Sequence, residues 1–185
     1  MRKHFFSVYQ KTAERLSFVV SRDEIFVFGR LKKEIRQMEK TRLRAGYTTG
    51  TCAQAATKAA VWMLFSGEKK EEVDVVLPKG KKLTLPVCEI EIKKKEKKVE
   101  RVVCAVRKDS GDDPDITNGV LVYASVTRKA GTEIEIDGGC GVGRVTKKGL
   151  DQPVGAAAIN QVPRRMIRKE AEEICDRYGY EGGLE

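Results

Sequence analysis

The sequence predicts an α+β fold, and three observations support this class. Alternating apolar residues form about five strand-like runs in the middle of the chain, whereas helical periodicity appears before and after them. The runs follow one another as hairpins, without the helix after nearly every strand that a doubly wound α/β fold needs. The 185 residues, 41% of them hydrophobic, are enough for one substantial core. We therefore expect a mostly antiparallel or mixed sheet of about five strands with two packed helices.

The first 42 residues are predicted to be a basic extension outside this fold. Residues 1–46 hold 12 Lys and Arg against 5 Asp and Glu, a net charge of +7, which leaves +2 of the total +9 for residues 47–185. Two weak helical patterns flank a short β-like run at Ile25–Phe28. His4 is the only histidine of the chain, so we expect neither a histidine base nor a histidine-rich metal site.

A first helix is predicted after the turn Gly46–Gly50, with Thr51 and Gln54 as a capping box. Small or apolar residues recur at three-to-four spacing from Cys52 to Phe65, and Gly67 is expected to end the helix. The amides and the dipole of a helix start attract carboxylates and phosphates, although ordinary capping would need the same residues. The candidate anion-binding residues are Tyr47, Thr48, Thr49, Gly50 and Thr51.

The strand-like runs and a second helix fill most of the remaining chain. The second run changes parity near Pro86, which predicts a β-bulge, and Lys93–Lys98 is predicted to be the solvated tip of a hairpin. The second helix is expected from about Pro163 to Tyr178, with Gly179 as its cap. The five predicted strands are Val73–Leu77, Leu83–Ile92, Val99–Val106, Val120–Val126 and Thr132–Ile136.

Four carboxylates crowd the loop between the predicted third and fourth strands. Such a density suits a divalent cation, hydrogen bonds to a substrate, or one carboxyl with a raised pKa that transfers a proton. A solvated turn built from Asp and Pro is the alternative. The candidate catalytic residues are Asp109, Asp112, Asp113 and Asp115.

A glycine-rich loop, Asp137–Gly143, follows the last predicted strand and resembles the loop with which Rossmann-type methyltransferases hold S-adenosylmethionine. A Rossmann loop must open a helix, and Arg144–Gly155 has no helical pattern. We therefore interpret it as a loop whose backbone approaches a ligand or another chain segment. The candidate cofactor contacts are Gly139, Gly141 and Gly143, and the nearby basic residues suited to carboxylates are Arg144, Lys147, Lys148, Arg164 and Arg165.

The remaining composition predicts a cytoplasmic protein without a membrane segment. No run reaches the roughly 18 uncharged apolar residues that a spanning helix needs, and Met1–Val20 lacks the apolar stretch of a signal peptide. The five cysteines contain no CxxC pair and are expected to be reduced and mostly core residues.

Five motifs, taken in order, resemble the cobalt-precorrin-5B C1-methyltransferases of anaerobic cobalamin biosynthesis. The resemblance covers about residues 43–180. It implies methylation of a ring carbon of a cobalt-bearing tetrapyrrole by S-adenosylmethionine, giving cobalt-precorrin-6A, with cobalt only as part of the substrate. The motifs are Leu43–Ala53, Leu77–Gly80, Lys108–Thr117, Gly141–Leu150 and Ile159–Ile167.

The resemblance also implies an α+β domain similar to a circularly permuted second domain of ribosomal protein S5, followed by an α/β domain. Residues 43–185 are then expected to be the first domain alone, with a second domain of the same enzyme or another copy of the chain as partner. A non-catalytic binding domain is the alternative, either a tetrapyrrole-binding remnant or an RNA-binding module. RNA is disfavoured because Tyr123 is the only aromatic residue on the predicted strands.

Overall fold

The computed structural model describes residues 44–149 and 151–185. The chain divides into two compact units, Met1–Arg44 and Ala45–Glu185, and the elements of the second unit are given below. The predictions for residues 1–42 lie outside the described residues.

The described residues of the second unit form two helices and six strands. The helices are α1 (Thr49–Ser66) and α2 (Gln161–Tyr178), and the strands are β1 (Glu72–Val76), β2 (Lys82–Pro86), β3 (Cys88–Lys95), β4 (Lys98–Arg107), β5 (Leu121–Lys129) and β6 (Gly183–Leu184). β1 and β2 pair as an antiparallel hairpin, and the other strands form an antiparallel sheet in the order β3-β4-β5-β6. The predicted α+β class with two helices is confirmed, but the expected single sheet of about five strands is wrong, because the strands divide between a two-stranded and a four-stranded sheet.

The core lies between one face of the four-stranded sheet and α1. In the second half of β4 the side chains of Val102, Cys104 and Val106 are buried in this core, and the Cys104 thiol donates to the carbonyl oxygen of Ala56 at 3.3 Å. Alanines form the facing stripe of α1, so the backbones approach closely without leaving a cavity. The fully buried alanines of this stripe are Ala55, Ala56, Ala59 and Ala60.

Helix α2 lies beside α1 and runs in the same direction. Three contacts occur in the same order along both helices: Gly50 with Pro163, Gln54 with Glu170, and Phe65 with Tyr178. The rings of the last pair stack with centroids 5.3 Å apart. Both helix starts therefore lie at one end of the helix pair.

The predicted strands are confirmed at three places and wrong at two. Val73–Leu77, Val99–Val106 and Val120–Val126 correspond to β1, β4 and β5. Leu83–Ile92 is not one bulged strand, because the chain leaves the first sheet at Pro86 and enters the second at Cys88. Proline cannot donate to a ladder, and the Val87 amide instead donates to the Glu71 carbonyl at 2.7 Å.

The prediction of a last strand at Thr132–Ile136 is wrong, because no strand forms there. Only Ile134 forms a bridge, to Leu184 of β6, and β6 has just two residues with which to pair. The sequence did not predict β6, because a strand this short carries no periodicity. The hairpin tip is confirmed: Glu96 and Lys97 join β3 to β4 with φ values of 47° and 71°, as in a tight two-residue turn.

Candidate functional site

Helix α1 begins three residues earlier than the predicted capping box implies, because its N-cap is Thr48 and not Thr51. The Thr48 side chain accepts a hydrogen bond from the Thr51 amide at 3.2 Å, so the capping box predicted at Thr51 and Gln54 is wrong. The first turn of α1 contains no acidic residue. The amides of Thr49 and Gly50 donate to no acceptor among the described residues. This helix start therefore offers two donors and the positive end of its dipole to an anion.

The turn before α1 lies directly against the acidic loop, which we define as Lys108–Asn118. The Tyr47 amide donates to the carbonyl oxygen of Asp109 at 2.8 Å. A Cβ atom at Gly46 would lie 2.1 Å from the carbonyl carbon of Ser110, so only glycine permits this approach. The structure thus brings together two motifs that are separated by about 60 positions in the sequence.

A buried lysine organises the acidic loop from within. The Lys108 side chain is 4% exposed, and its ammonium donates to the Ser110 hydroxyl at 2.5 Å and to the Asp115 carboxylate at 2.6 Å. Burial raises the pKa of the Cys52 thiol in the first turn of α1, and the Lys108 charge opposes part of this rise. A cation therefore lies beneath the junction of the loop and the helix start.

The four candidate catalytic carboxylates have different environments. The hydrogen bonds from Lys108 and Thr117 hold the pKa of Asp115 well below its usual range, so this carboxyl stays ionised. Asp109 accepts from the Gly111 amide at 2.8 Å and shapes the turn. Asp112 and Asp113 lie exposed at the tip. The loop therefore separates carboxylates that maintain its conformation from carboxylates that face outward.

The start of α2 adds a second positive helix end. A Cβ at Gly50 would lie 3.0 Å from the Pro163 ring, which places the first turns of the two helices in contact. The first turn of α2 also lacks acidic residues, and it carries Arg164 and the exposed Arg165. We call the first turns of α1 and α2 together with the acidic loop the helix-start site.

Arg164 joins the helix-start site to the glycine-rich loop. Its guanidinium donates to three carbonyl oxygens, those of Ile136 at 2.8 Å, Ile159 at 3.0 Å and Ala157 at 3.2 Å. Ile136 immediately precedes the glycine-rich loop. The guanidinium of Arg164 therefore fixes the base of that loop beside α2 through these hydrogen bonds.

A second arginine closes the glycine-rich loop. Arg144 forms a two-point ion pair with Asp137, at 2.5 and 2.8 Å, and also donates to the Gly138 carbonyl at 3.1 Å. The Arg144 guanidinium, followed by the Gly138 amide, lowers the pKa of Asp137. The loop therefore begins and ends at one ion pair, while Lys147 and Lys148 beyond it are exposed.

Two glycines of this loop are open to approach from outside. A Cβ built at Gly139 or at Gly141 would meet no atom within 4 Å. Gly141 needs to be glycine because its φ is 84°, but no such conformational reason applies at Gly139. The described part of Arg144–Asn160 contains no helix after the loop. The loop thus presents bare backbone without the helix of a Rossmann site.

Two buried charged side chains, Lys108 and Glu170, were not predicted from the sequence. Lys108 continues the inward parity of Val102, Cys104 and Val106, a signal that could have placed it inside. Glu170 lies on the apolar stripe of α2 and is 3% exposed.

The partners of Glu170 come from α1. Its carboxylate accepts from Gln54 at 2.6 Å and pairs with the Lys58 ammonium at 2.7 Å. The Gln54 amide also donates to the Val76 carbonyl at 3.2 Å, whereas its own side-chain oxygen has no partner in the described structure. This cluster ties the two helices together just behind the helix-start site.

The cysteines of the core are not arranged for nucleophilic chemistry. Burial raises the pKa of Cys52 to about 11 and that of Cys104 to about 12, so both thiols remain protonated near neutral pH. None of the five cysteines forms a disulfide within the described residues.

Residues 44–149 and 151–185 contain no group of three or more His, Cys, Asp or Glu placed to hold a metal ion. Over the same ranges, no helix has the length and apolar character needed to cross a membrane.

Replacing the capping threonine should weaken α1. Thr48→Ala removes the acceptor of the Thr51 amide, and we expect the free energy of unfolding to fall by about 1 kcal/mol. Urea unfolding followed by circular dichroism measures this change. Thr49→Ala is the matched control, since the Thr49 side chain does not cap the helix. Equal losses in both variants would contradict the assignment of Thr48 as the cap.

The Asp115 ion pair should contribute to stability in a defined pH range. Because its folded pKa lies below the unfolded value of about 3.9, the contribution is complete above that value and is lost as the pH falls through the folded pKa. Asp115→Asn should therefore melt at a lower temperature than the parent at pH 6, and the two melting temperatures should converge toward pH 2. Asp113→Asn, at the exposed tip, should show no such convergence. A constant difference for Asp115→Asn would contradict the ion-pair account.

The fold and the helix-start site together define an α+β domain in which two parallel helix starts lie at one end. Comparison with known proteins is consistent with this class: the model of the CbiD family matches residues 36–184. The chain therefore belongs to the CbiD family.

Two relatives of the chain are both named cobalt-precorrin-5B C(1)-methyltransferase. This chain is 49% identical over 143 residues to the cobalt-precorrin-5B C(1)-methyltransferase of Ruminiclostridium cellulolyticum. The alignment covers 77% of this chain and 36% of the relative. The chain is 46% identical over 146 residues to the protein of the same name from Priestia megaterium, covering 79% and 38%. The chain thus spans little more than a third of the length of these relatives.

A solved structure also resembles this chain. The crystal structure of the cobalamin biosynthesis protein CbiD from Archaeoglobus fulgidus superimposes with a TM-score of 0.54 at 30% identity, covering 77% of this chain and 42% of that one. The α+β architecture with two helices and antiparallel sheets is therefore shared with a family member.

Proposed function

We propose that this chain is the tetrapyrrole-binding part of an S-adenosylmethionine-dependent methyltransferase that converts cobalt-precorrin-5B to cobalt-precorrin-6A. The observation that carries the proposal is the helix-start site, where two helix starts without acidic residues meet a loop built around the buried Lys108. The names of the relatives supply the substrate. The family's full reaction is assigned to a longer polypeptide, of which this chain corresponds to 36–38%.

The substrate's chemistry fits such a site. Cobalt-precorrins carry acetate and propionate side chains around the ring, and a polycarboxylate is held best by several separated donors. The helix-start site offers the free amides of Thr49 and Gly50, the positive ends of two helices, and the exposed Arg165. In the proposal Tyr47, Thr48 and Thr51 shape the α1 turn, while Arg144 and Arg164 act by holding the glycine-rich loop in place. Lys147 is proposed to reach a carboxylate from beyond that loop.

The reaction places modest demands on acid and base groups. S-adenosylmethionine supplies an activated methyl group, so the protein must align the two reactants and exclude water. The bare backbone at Gly139 and Gly141, together with Gly143, supports the proposal that the donor approaches the glycine-rich loop. Because no helix follows this loop in the described residues, we propose that the donor site is completed by family sequence outside this chain. That missing part is proposed to be an α/β domain, with residues 43–185 forming a domain of the permuted S5-like type.

The acidic loop is proposed to face the ring. Asp115 and Asp109 maintain the loop through their bonds to Lys108 and Gly111, which leaves the exposed tip for orienting the macrocycle or accepting a proton. Asp112 and Asp113 occupy that tip. We therefore propose that Asp113 at the tip makes the direct catalytic contribution, and that Asp109 and Asp115 maintain the loop conformation.

An assay of the intact enzyme from R. cellulolyticum tests the carboxylate assignment. Asparagine at the position aligned with Asp113 should lower turnover at least tenfold without changing the melting temperature, because the carboxylate is exposed. Serine or alanine at the position aligned with the exposed Thr146 serves as a surface control. Unchanged turnover and unchanged substrate affinity would remove that carboxylate from the proposal.

The 185-residue chain by itself tests the proposal that sequence outside it completes the donor site. Calorimetry should show no tight binding of S-adenosylmethionine, and incubation with both substrates should give negligible methyl transfer. The intact relative, assayed in parallel, provides the positive control. Tight donor binding together with turnover by the chain alone would contradict the proposal that other sequence completes the donor site.

A further inference from the structure

The two edges of the four-stranded sheet differ in how they are protected. Strand β3 forms one edge, and it is interrupted by two register shifts, has a positive φ at Glu89 and ends in the lysine run Lys93–Lys95. Such bulges and charges are the usual means of preventing an edge from pairing with another chain. The opposite side of the sheet lacks these features over most of β5.

Strand β5 is covered by β6 over only part of its length. β6 pairs with Arg128 and Lys129, and the next residue, Glu185, exchanges two backbone hydrogen bonds with Thr127, at 2.8 and 3.0 Å. Leu121–Val126 pair with β4 on one side and with no described residue on the other. Six residues of β5 therefore form an open edge.

The direction of the backbone groups along this edge follows from the Thr127 pair. In an antiparallel strand the amide and carbonyl of successive residues point alternately to the two neighbours. The backbone amide and carbonyl of Thr127 point to the β6 side. The amides and carbonyls of Leu121, Tyr123 and Ser125 therefore point to that side as well. The carbonyl of Val120 agrees with this alternation, since it faces the β4 side and accepts from the Lys108 amide at 2.9 Å.

The sequence of the open edge is typical of a strand that is paired on both sides. Leu121–Ser125 contains no charged residue, no proline and no glycine. The pairing of β5 with β4 runs without a register shift from Leu121 to Thr127, so the strand is regular as well. An exposed, regular and uncharged edge is an association hazard in a protein that keeps it bare. The contrast with β3 indicates that this edge is normally covered.

We propose that the edge Leu121–Ser125 pairs antiparallel with a strand from the part of the family's polypeptide that this chain does not cover. The relatives are long enough to supply it, because 62–64% of their length lies outside the alignments, as the covered shares of 38% and 36% require. The register is set by the pairs that β6 already makes, Arg128 with Leu184 and Lys129 with Gly183. The added strand continues β6 and joins the rest of the enzyme to this domain through main-chain hydrogen bonds. This inference concerns assembly and does not rest on the proposed reaction.

Amide hydrogen exchange tests the proposal residue by residue. In this chain the amides of Leu121, Tyr123 and Ser125 should exchange at least about 100-fold faster than those of Val122, Ala124 and Val126, which bond to β4. In the intact R. cellulolyticum relative, the residues aligned with all six should exchange slowly. Fast exchange of the three outward amides in the intact relative would overturn the proposal. Slow exchange in this chain alone would also overturn it, and concentration-dependent slowing would identify a second copy as the occupant.

A proline substitution gives a readout that does not depend on exchange rates. Tyr123→Pro removes only an outward amide, so in this chain it should shift the melting temperature by no more than Tyr123→Ala does, within about 3 °C. Proline at the aligned position of the intact relative should lower its melting temperature by clearly more than alanine there. Ala124→Pro, which removes a bond to β4, should strongly destabilise this chain. Equal effects of proline and alanine in the intact relative would contradict strand pairing at this edge.

Discussion

A glutamate at the first position of α1 should stabilise the protein and at the same time weaken binding of the proposed tetrapyrrole substrate. Thr49 is exposed and begins the helix, so Thr49→Glu places a negative charge at a positive helix end and should raise the free energy of unfolding by about 0.5 kcal/mol. The same charge occupies the place proposed for a ring carboxylate. The affinity for cobalt-precorrin-5B should therefore fall at least tenfold.

These opposite signs separate an anion site from an ordinary cap. Thr49→Gln has nearly the same size without the charge and should leave both stability and affinity close to the parent values. Urea unfolding gives the first quantity, and an absorbance titration of the coloured substrate gives the second. Higher stability with unchanged affinity in Thr49→Glu would mean that α1 is merely capped and that the carboxylates bind elsewhere.

Loss of the buried lysine should produce the largest stability change of any single substitution in the acidic loop. Lys108→Ala removes the donor to Ser110 and Asp115 and leaves a void where a 4% exposed side chain packs. We expect the free energy of unfolding to fall by about 3 kcal/mol. Lys147→Ala, which changes an exposed lysine, should stay within about 0.5 kcal/mol of the parent.

A double variant shows whether Lys108 acts through its ion pair. Lys108→Ala combined with Asp115→Asn should lose less stability than the sum of the two single variants, because each substitution already breaks the same bond. Strictly additive losses would mean that Lys108 stabilises the loop through packing alone. The acidic loop would then owe its conformation to the Asp109 and Asn118 turns.

Local patterns predicted most of the fold. The alanine stripe between Cys52 and Phe65, the left-handed cap at Gly67 and the apolar stripe ending at Tyr178 each depend on neighbours within a few positions, so the helices were correctly predicted. The break at Pro86 was anticipated as a parity change, but whether a proline bends a strand or divides it between two sheets depends on the partners available. The strand expected at Thr132–Ile136 failed for the same reason, since only a two-residue neighbour lies beside it.

The candidate site was predictable in its parts and not in its assembly. The helix start, the acidic loop and the glycine-rich loop were recognisable from residue types and spacing. Their convergence depends on contacts such as Gly46 against Ser110 and Gly50 against Pro163, which no local pattern contains. Arg164 shows the converse problem, because its charge predicted a ligand contact whereas its guanidinium is bonded to three backbone carbonyls.

The most direct measurement of the central claim is a binding titration of the 185-residue chain with cobalt-precorrin-5B and with the same macrocycle after esterification of its carboxylates. We expect that the free acid binds, that raising the salt concentration weakens this binding, and that the ester binds at least tenfold more weakly. Equal binding of acid and ester, or no binding of the acid at low salt, would contradict the claim that the helix-start site holds the carboxylates of the ring.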